Sequence, residues 1–214
     1  MNKNDPLHPF SPLCGKRILL VATGCIGTTM LPSWISWVKT ALPDAELKVV
    51  VTRSALHFTT KTAISAFLHE DAIIDEWDHD SDPSRHLDLA EWPEAVLVHP
   101  ASMSFVSRLS AGLCDSPLLL ALQGTTLTPI VVAASAPPRF VQGKVWATYQ
   151  KQLEDRLNIT LLQPASGISA LKPELTGSPA VLFTEALETL AQAVESTAHS
   201  GGERRNKSKG GHRV

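Results

Sequence analysis

His86 stands in the run Ser84-Arg85-His86-Leu87-Asp88-Leu89-Ala90-Glu91-Trp92. An apolar run, Ala95 to Val98, follows it, and then a Pro-led polar turn, Pro100-Ala101-Ser102-Met103-Ser104-Phe105. An imidazole titrates near neutrality, so a histidine opening a short helix can act as a general acid or base. It can equally pack against a sheet or face solvent. The Pro100-Ala101-Ser102 turn offers hydroxyls and free amides to an anion or a planar ring, or Ser102 or Ser104 simply caps a helix. A second turn, Thr23-Gly24-Cys25-Ile26-Gly27, places amides and a helix start where a phosphate can sit. It matches neither the dinucleotide glycine fingerprint nor Walker A. No Gly-x-Ser-x-Gly elbow is present, which leaves a serine hydrolase little support. His57, His69 and His79 have no partner at metal-ligand spacing, and Cys14, Cys25 and Cys114 form no CxxC pair, so no metal is expected.

These residues need a scaffold. Arg17–Ala22, Leu47–Val51, Ala95–Val98 and Pro129–Ala133 are continuous apolar runs, with shorter strand candidates at Asp71–Trp77 and Thr160–Leu162. Helical spacing falls between them, at about 30–42, 59–68, 102–111, 117–122, 142–157 and 181–196. Alternation of such runs predicts a single α/β domain, a parallel sheet of flavodoxin-like or Rossmann type with helices on both faces. Ligands in such sheets bind beyond the C-terminal strand ends. That rule singles out turns 23–29, 52–54, 99–105 and 134–140. The expected organisation is an arm over 1–14, a domain over 15–197 and a basic, disordered tail over 198–214. Residues 78–84 read as a charged loop, and 164–179, rich in Gly, Pro, Ser and Ala, as another loop.

Bulk properties bound the function. The chain has 214 residues, 43% hydrophobic, and a formal net charge of -2. That balance argues against a nucleic-acid partner. No apolar run approaches the roughly 18 residues of a bilayer span, and the first residues lack signal-peptide form. The expected location is cytoplasmic, with no membrane partner.

Taken together, the segments resemble the homo-oligomeric flavin-containing cysteine decarboxylases over about residues 15–190. His86-Leu87-Asp88-Leu89-Ala90 is similar to the family's active-site His-x-Asp-x-Ala segment, and Pro100-Ala101-Ser102-Met103-Ser104-Phe105 to its Pro-Ala-Ser-Ala-Asn-Thr motif. Ala111-Gly112-Leu113-Cys114-Asp115 resembles the Gly-x-x-Asp that follows. Thr23-Gly24-Cys25-Ile26 and Val51-Thr52-Arg53-Ser54-Ala55 resemble two early flavin-contacting turns. The resemblance implies FMN, or FAD in some members, at the interface of a trimer that can assemble into a dodecamer. It makes His86 the active-site base. Gly24, Cys25, Ile26, Thr52, Ser54, Pro100, Ala101, Ser102 and Ser104 become cofactor contacts.

Three departures matter. Ser104 replaces the asparagine of the Pro-Ala-Ser-Ala-Asn-Thr motif. Pro137 replaces that of a later Pro-x-Met-Asn-x-x-Met motif, expected to hold the substrate carboxylate. Arg139, His99 and Ser104 are the candidates to bind substrate instead, with Arg139 as a charge-assisted donor; it can equally be a surface arginine. Phosphopantothenoylcysteine decarboxylases also carry a lid cysteine that reduces an enethiol, and residues 164–173 here contain none. The resemblance therefore implies decarboxylation of the C-terminal cysteine of a precursor peptide to an aminoenethiol, on the way to an aminovinyl-cysteine ring. The alternatives are a phosphopantothenoylcysteine decarboxylase, a non-catalytic regulatory subunit, and, ranked last, a flavin prenyltransferase-like protein.

Overall fold

A computed structural model describes residues 9–77, 84–168 and 175–208. In chain order the elements are β1 (Arg17–Ala22), α1 (Leu31–Ala41), β2 (Glu46–Thr52), α2 (Lys61–Leu68), β3 (Ile73–Asp75), α3 (Arg85–Glu91) and β4 (Ala95–Ser102). Then come α4 (Met103–Ser110), α5 (Pro117–Gly124), β5 (Ile130–Ser135), α6 (Pro138–Val141), α7 (Lys144–Glu154) and β6 (Ile159–Leu162). A hairpin pair, β7 (Gly167–Ile168) and β8 (Thr176–Gly177), precedes α8 (Phe183–Ser208). The sheet runs β3-β2-β1-β4-β5-β6, all parallel. This is the order of the doubly wound nucleotide-binding sheets, with the reversal of direction between β1 and β4.

Strands covered on both faces carry no polar alternation, which is why their sequences read as unbroken apolar runs. In β1, Ile18, Leu20 and Ala22 join the core under α1, α2 and α8, while Leu19 and Val21 join the core under α3, α4, α5 and α7. Local chemistry sets the helix starts. Thr60, Ser102 and Ser116 each accept a hydrogen bond from a first-turn backbone N–H, and Pro32 and Pro117 occupy first turns where no N–H is needed.

Several expected boundaries shift. β4 runs on past Val98 through the cis His99–Pro100 peptide to Ser102, with a register slip against β5 between Val98 and Ala101. The extension carries Ser102 to the strand end. Part of the expected arm packs onto the domain: Phe10 and Leu13 are buried, and Phe10 meets Trp37 edge to face. The 164–179 segment contains the β7–β8 hairpin, although 169–174 lie outside the described residues. Helix α8 continues past 196 into the expected tail as far as Ser208; residues 209–214 lie outside the described residues, as do 1–8 and 78–83 of the expected arm and charged loop.

The central strands should dominate stability. Leu97, fully buried in β4, should cost about 2–5 kcal/mol when cut to Ala. Leu157→Ala, at a fully exposed position, should stay within about 0.5 kcal/mol of wild type. Urea unfolding of the two variants checks the contrast.

Candidate functional site

The C-terminal ends of β1, β4 and β5 open into a cleft of about 550 Å³. That size lies within the roughly 300–1,000 Å³ of small-ligand sites. Gly24, Cys25 and Ile26 line it from the turn after β1, Ser102, Met103 and Ser104 from the start of α4, and Ser135 to Pro138 from the end of β5. The hairpin forms the remaining wall through Ile168 and Leu175 to Pro179. Two backbone bonds anchor that hairpin: Ala165 N–H donates to Pro179 O (2.8 Å) and Ala136 N–H to Ser178 O (3.2 Å). Another hollow of about 600 Å³ lies among Pro12, Pro93, Leu127 and α8. It sits at the opposite, N-terminal end of the strands, away from every turn singled out above.

Thr23 builds the cleft floor. Its fully buried hydroxyl donates to Pro100 O (2.8 Å) and accepts from Ser102 N–H (2.7 Å). Its own N–H donates to Pro100 O as well (3.2 Å), and its carbonyl accepts from the Thr28 hydroxyl (2.7 Å). One side chain thus ties β1 to β4 at the place where the two strands feed opposite halves of the fold. Gly24 is required next door: a Cβ there would lie 2.7 Å from Ser54 Cβ. Only a residue without a side chain lets the two turns approach so closely. Cys25 is buried, and burial pushes its thiol above the ordinary range, partly opposed by the hydroxyls of Thr23 and Ser135. A neutral thiol therefore faces the cleft.

The expected site residues divide. Gly24, Cys25, Ile26, Ser102 and Ser104 line the cleft. Thr52 and Ser54 do not; their hydroxyls lie 3.3 Å apart beside Gly24. Pro100 and Ala101 contribute backbone alone, Ala101 being fully buried and paired in register with Ala134. Arg139 is exposed on α6, one residue beyond the lining Pro138, and does not line the cleft. The substrate role expected for His99 is corrected. Its ring points away from the cleft into the core between Trp34 (4.6 Å) and Phe183 (5.4 Å), and Nε2 is 2.8 Å from Val181 O. Strand alternation is the reason, because a residue buried against α1 and α8 cannot also face the cleft.

His86 is also elsewhere. It lies in the first turn of α3, after the edge strand β3, and does not line the cleft over β1, β4 and β5. Trp77 packs at 5.9 Å from its ring, and His86 Nδ1 is buried with no hydrogen-bond partner among the described residues. A buried ring nitrogen left unpaired is costly in a finished structure. Sequence reasoning missed Thr23 and Ser135 as site residues, while the hairpin wall falls in the segment read as the 164–179 loop. Thr23 has the hydroxyl signal of a turn, but its partners are 77 and 79 positions away.

An α/β sheet with a hydroxyl-lined cleft at its switch point defines a small-ligand site of the doubly wound class. Comparison with known proteins narrows this. The family model described as Flavoprotein matches residues 10–186, and the chain belongs to that family. It is 32% identical over 124 residues to the cypemycin cysteine dehydrogenase (decarboxylating) of a Streptomyces species, covering 58% of this chain and 65% of that protein. It is 32% identical over 114 residues to the phosphopantothenoylcysteine decarboxylase of Mus musculus, covering 52% and 54%. The matched part thus spans less than two thirds of either relative. The solved structure of the FMN binding protein AtHal3 superposes with a TM-score of 0.68 at 22% identity, over 85% of this chain and 98% of that one. At that identity the likeness shows the shared fold.

Two outcomes follow. Thr23→Val keeps shape but leaves Ser102 N–H without its partner and Pro100 O with only the Thr23 N–H, which should cost about 1–3 kcal/mol. Thr23→Ser should restore the lost stability, as read by urea unfolding. His99 is held neutral by burial, its imidazole pushed below the ordinary 6.5 and only partly supported by the Val181 carbonyl. The unfolded chain therefore binds an extra proton below about pH 6.5, and stability falls as pH drops through that value. His99→Gln should flatten this slope in urea midpoints measured from about pH 7 to 5; an unchanged slope would assign the effect to another group.

Proposed function

We propose that the protein binds FMN in the cleft and oxidatively decarboxylates the C-terminal cysteine of a peptide. The supporting observation is the cleft itself: two turns that resemble the motifs of flavin-containing cysteine decarboxylases, at 23–26 and 100–105, come together there with the turn after β5, under the hairpin. Its lining suits the cofactor. Ile26, Met103, Ala136, Pro137 and Pro138 offer flat apolar contact, while Ser102, Ser104 and backbone amides offer donors to a polyol or phosphate. FMN, when bound, supplies the two-electron oxidation.

The chain's own part is positioning and proton handling. The cleft holds the cysteine side chain while its Cβ–H leaves as hydride and its thiol proton passes to a base. The resulting thioaldehyde accepts the electron pair of the breaking C–CO₂ bond, and protonation at sulfur leaves an aminoenethiol. His86 is the base in this reading. His86 does not line the cleft of its own chain, which fits a trimer in which His86 of the partner subunit completes each site. Nδ1, without a hydrogen-bond partner among the described residues, and the exposed Trp77 and Leu87 beside it support a contact at that edge. The hairpin closes over the peptide end and excludes water.

The peptide reading is preferred over a phosphopantothenoylcysteine substrate because Cys14, Cys25 and Cys114 all precede the hairpin, so no thiol there can reduce the enethiol. Purified protein loaded with FMN should remove roughly 46 Da, carbon dioxide plus two hydrogens, from a Cys-ending peptide. It should leave phosphopantothenoylcysteine essentially untouched. His86→Asn should keep the yellow flavin band and lose about 100-fold or more in rate; a normal rate would remove the histidine from the scheme. Protein that takes up no flavin would sink the whole reading.

A further inference from the structure

The chain leaves β8 at Gly177 and enters α8 at Phe183, so residues 178–182 form a strap between the hairpin wall and that helix. Ala136 N–H holds the start of the strap through Ser178 O (3.2 Å). His99 holds its end, with Nε2 2.8 Å from Val181 O. A carbonyl oxygen only accepts, so this bond makes Nε2 the protonated nitrogen of the neutral ring. The ring itself is clamped. Trp34 of α1 and Phe183 of α8 stack on each other at 5.1 Å, and both meet the imidazole edge to face. Those contacts fix its orientation and aim Nε2 at the strap.

A histidine is a demanding occupant for this place. It follows the apolar run Ala95–Val98 and is buried among apolar and aromatic side chains. Burial takes water from the imidazole, a loss that a leucine would not suffer, and the bond to Val181 O offsets part of it. The same strand supplies the cleft floor: Pro100 O accepts from Thr23, and Ser102 lines the cleft. One side chain of β4 therefore joins floor to wall. We propose that His99 is a positioning residue, whose Nε2–H bond to Val181 O fixes the height of the hairpin over the cleft and with it the grip on the peptide end beneath. The grip rests on the function proposed above; the latch does not. Held to the sheet at Ser178 alone, the wall opens at lower free energy.

The test compares hydrogen exchange of full-length wild type, His99→Phe, which keeps a ring between Trp34 and Phe183, and His99→Gln, which keeps a donor. His99→Phe should speed exchange about tenfold in segments 163–168 and 175–182 and leave β1 and β5 unchanged. His99→Leu serves the same purpose should the phenylalanine prevent folding. With FMN loaded, the donor-less variant should raise KM for a Cys-ending peptide about tenfold and move kcat less than about threefold. His99→Gln should recover both readouts. In wild type, the ring 15N shifts should show the Nε2–H tautomer, a check that needs no variant. The proposal is overturned if the donor-less variant leaves hairpin exchange unchanged, if β1 and β5 loosen equally, if His99→Gln restores nothing, if KM stays put while the hairpin loosens, or if the ring carries its proton on Nδ1. Failure of the functional reading looks different: wild type would give no mass loss from the peptide, while exchange and tautomer would still decide whether His99 holds the hairpin.

Discussion

The hydroxyl of Thr23 is the contact on which the site depends. A doubly wound sheet has one place where neighbouring strands lead to opposite halves of the molecule, here β1 and β4. Beyond that point the ladder no longer holds the two turns together, and a crevice opens. Thr23 spans the crevice at its root, accepting from Ser102 N–H and donating to Pro100 O in a fully buried setting. In that setting the low dielectric makes each bond stronger and its loss more costly. Gly24, Cys25 and Ser102 take their positions from this tie, and the α4 cap follows from Ser102.

Above that floor the described lining residues carry no charged side chain. Their polar groups are hydroxyls, a thiol whose pKa burial raises, and backbone amides. Such a lining can hold a planar cofactor and an orientable anion without imposing a fixed charge on either. His86, the proposed base, stands outside that lining in α3, with Nδ1 buried and without a hydrogen-bond partner among the described residues. In the proposed scheme the separation divides the work: one region binds and orients, another offers proton transfer, and in the proposed trimer the two meet between copies.

Much of this was legible in the amino-acid order because parallel strands advertise themselves. Arg17–Ala22 is apolar from Ile18 on, and the strand found there has the same limits. The four turns picked by the strand-end rule include the three that line the cleft. What misled was reach. The apolar run of β4 ends at Val98, yet the strand continues through Pro100 to Ser102, since pairing with β5 resumes after a slip. His99 looked available because it adjoins the Pro100 turn; burial between Trp34 and Phe183 shows that adjacency in sequence says nothing about which face a side chain takes. Phe10 and Leu13 sit in a Pro-rich polar stretch with no periodicity, and only the groove beside Trp37 and α8 gives them a core position.

Composition and pattern alone determined the class of fold, the number and order of its main elements, and which turns could carry chemistry. These are local properties: periodicity, capping residues and turn residues act over a few positions of chain. The tertiary structure decided which of the candidates share a cleft. It brought Ser135 beside Ser102, set Thr23 against residues 77 and 79 positions away, turned His99 inward and left His86 outside the cleft lining. Those outcomes rest on strand order and register, which join distant segments through burial and long-range hydrogen bonds.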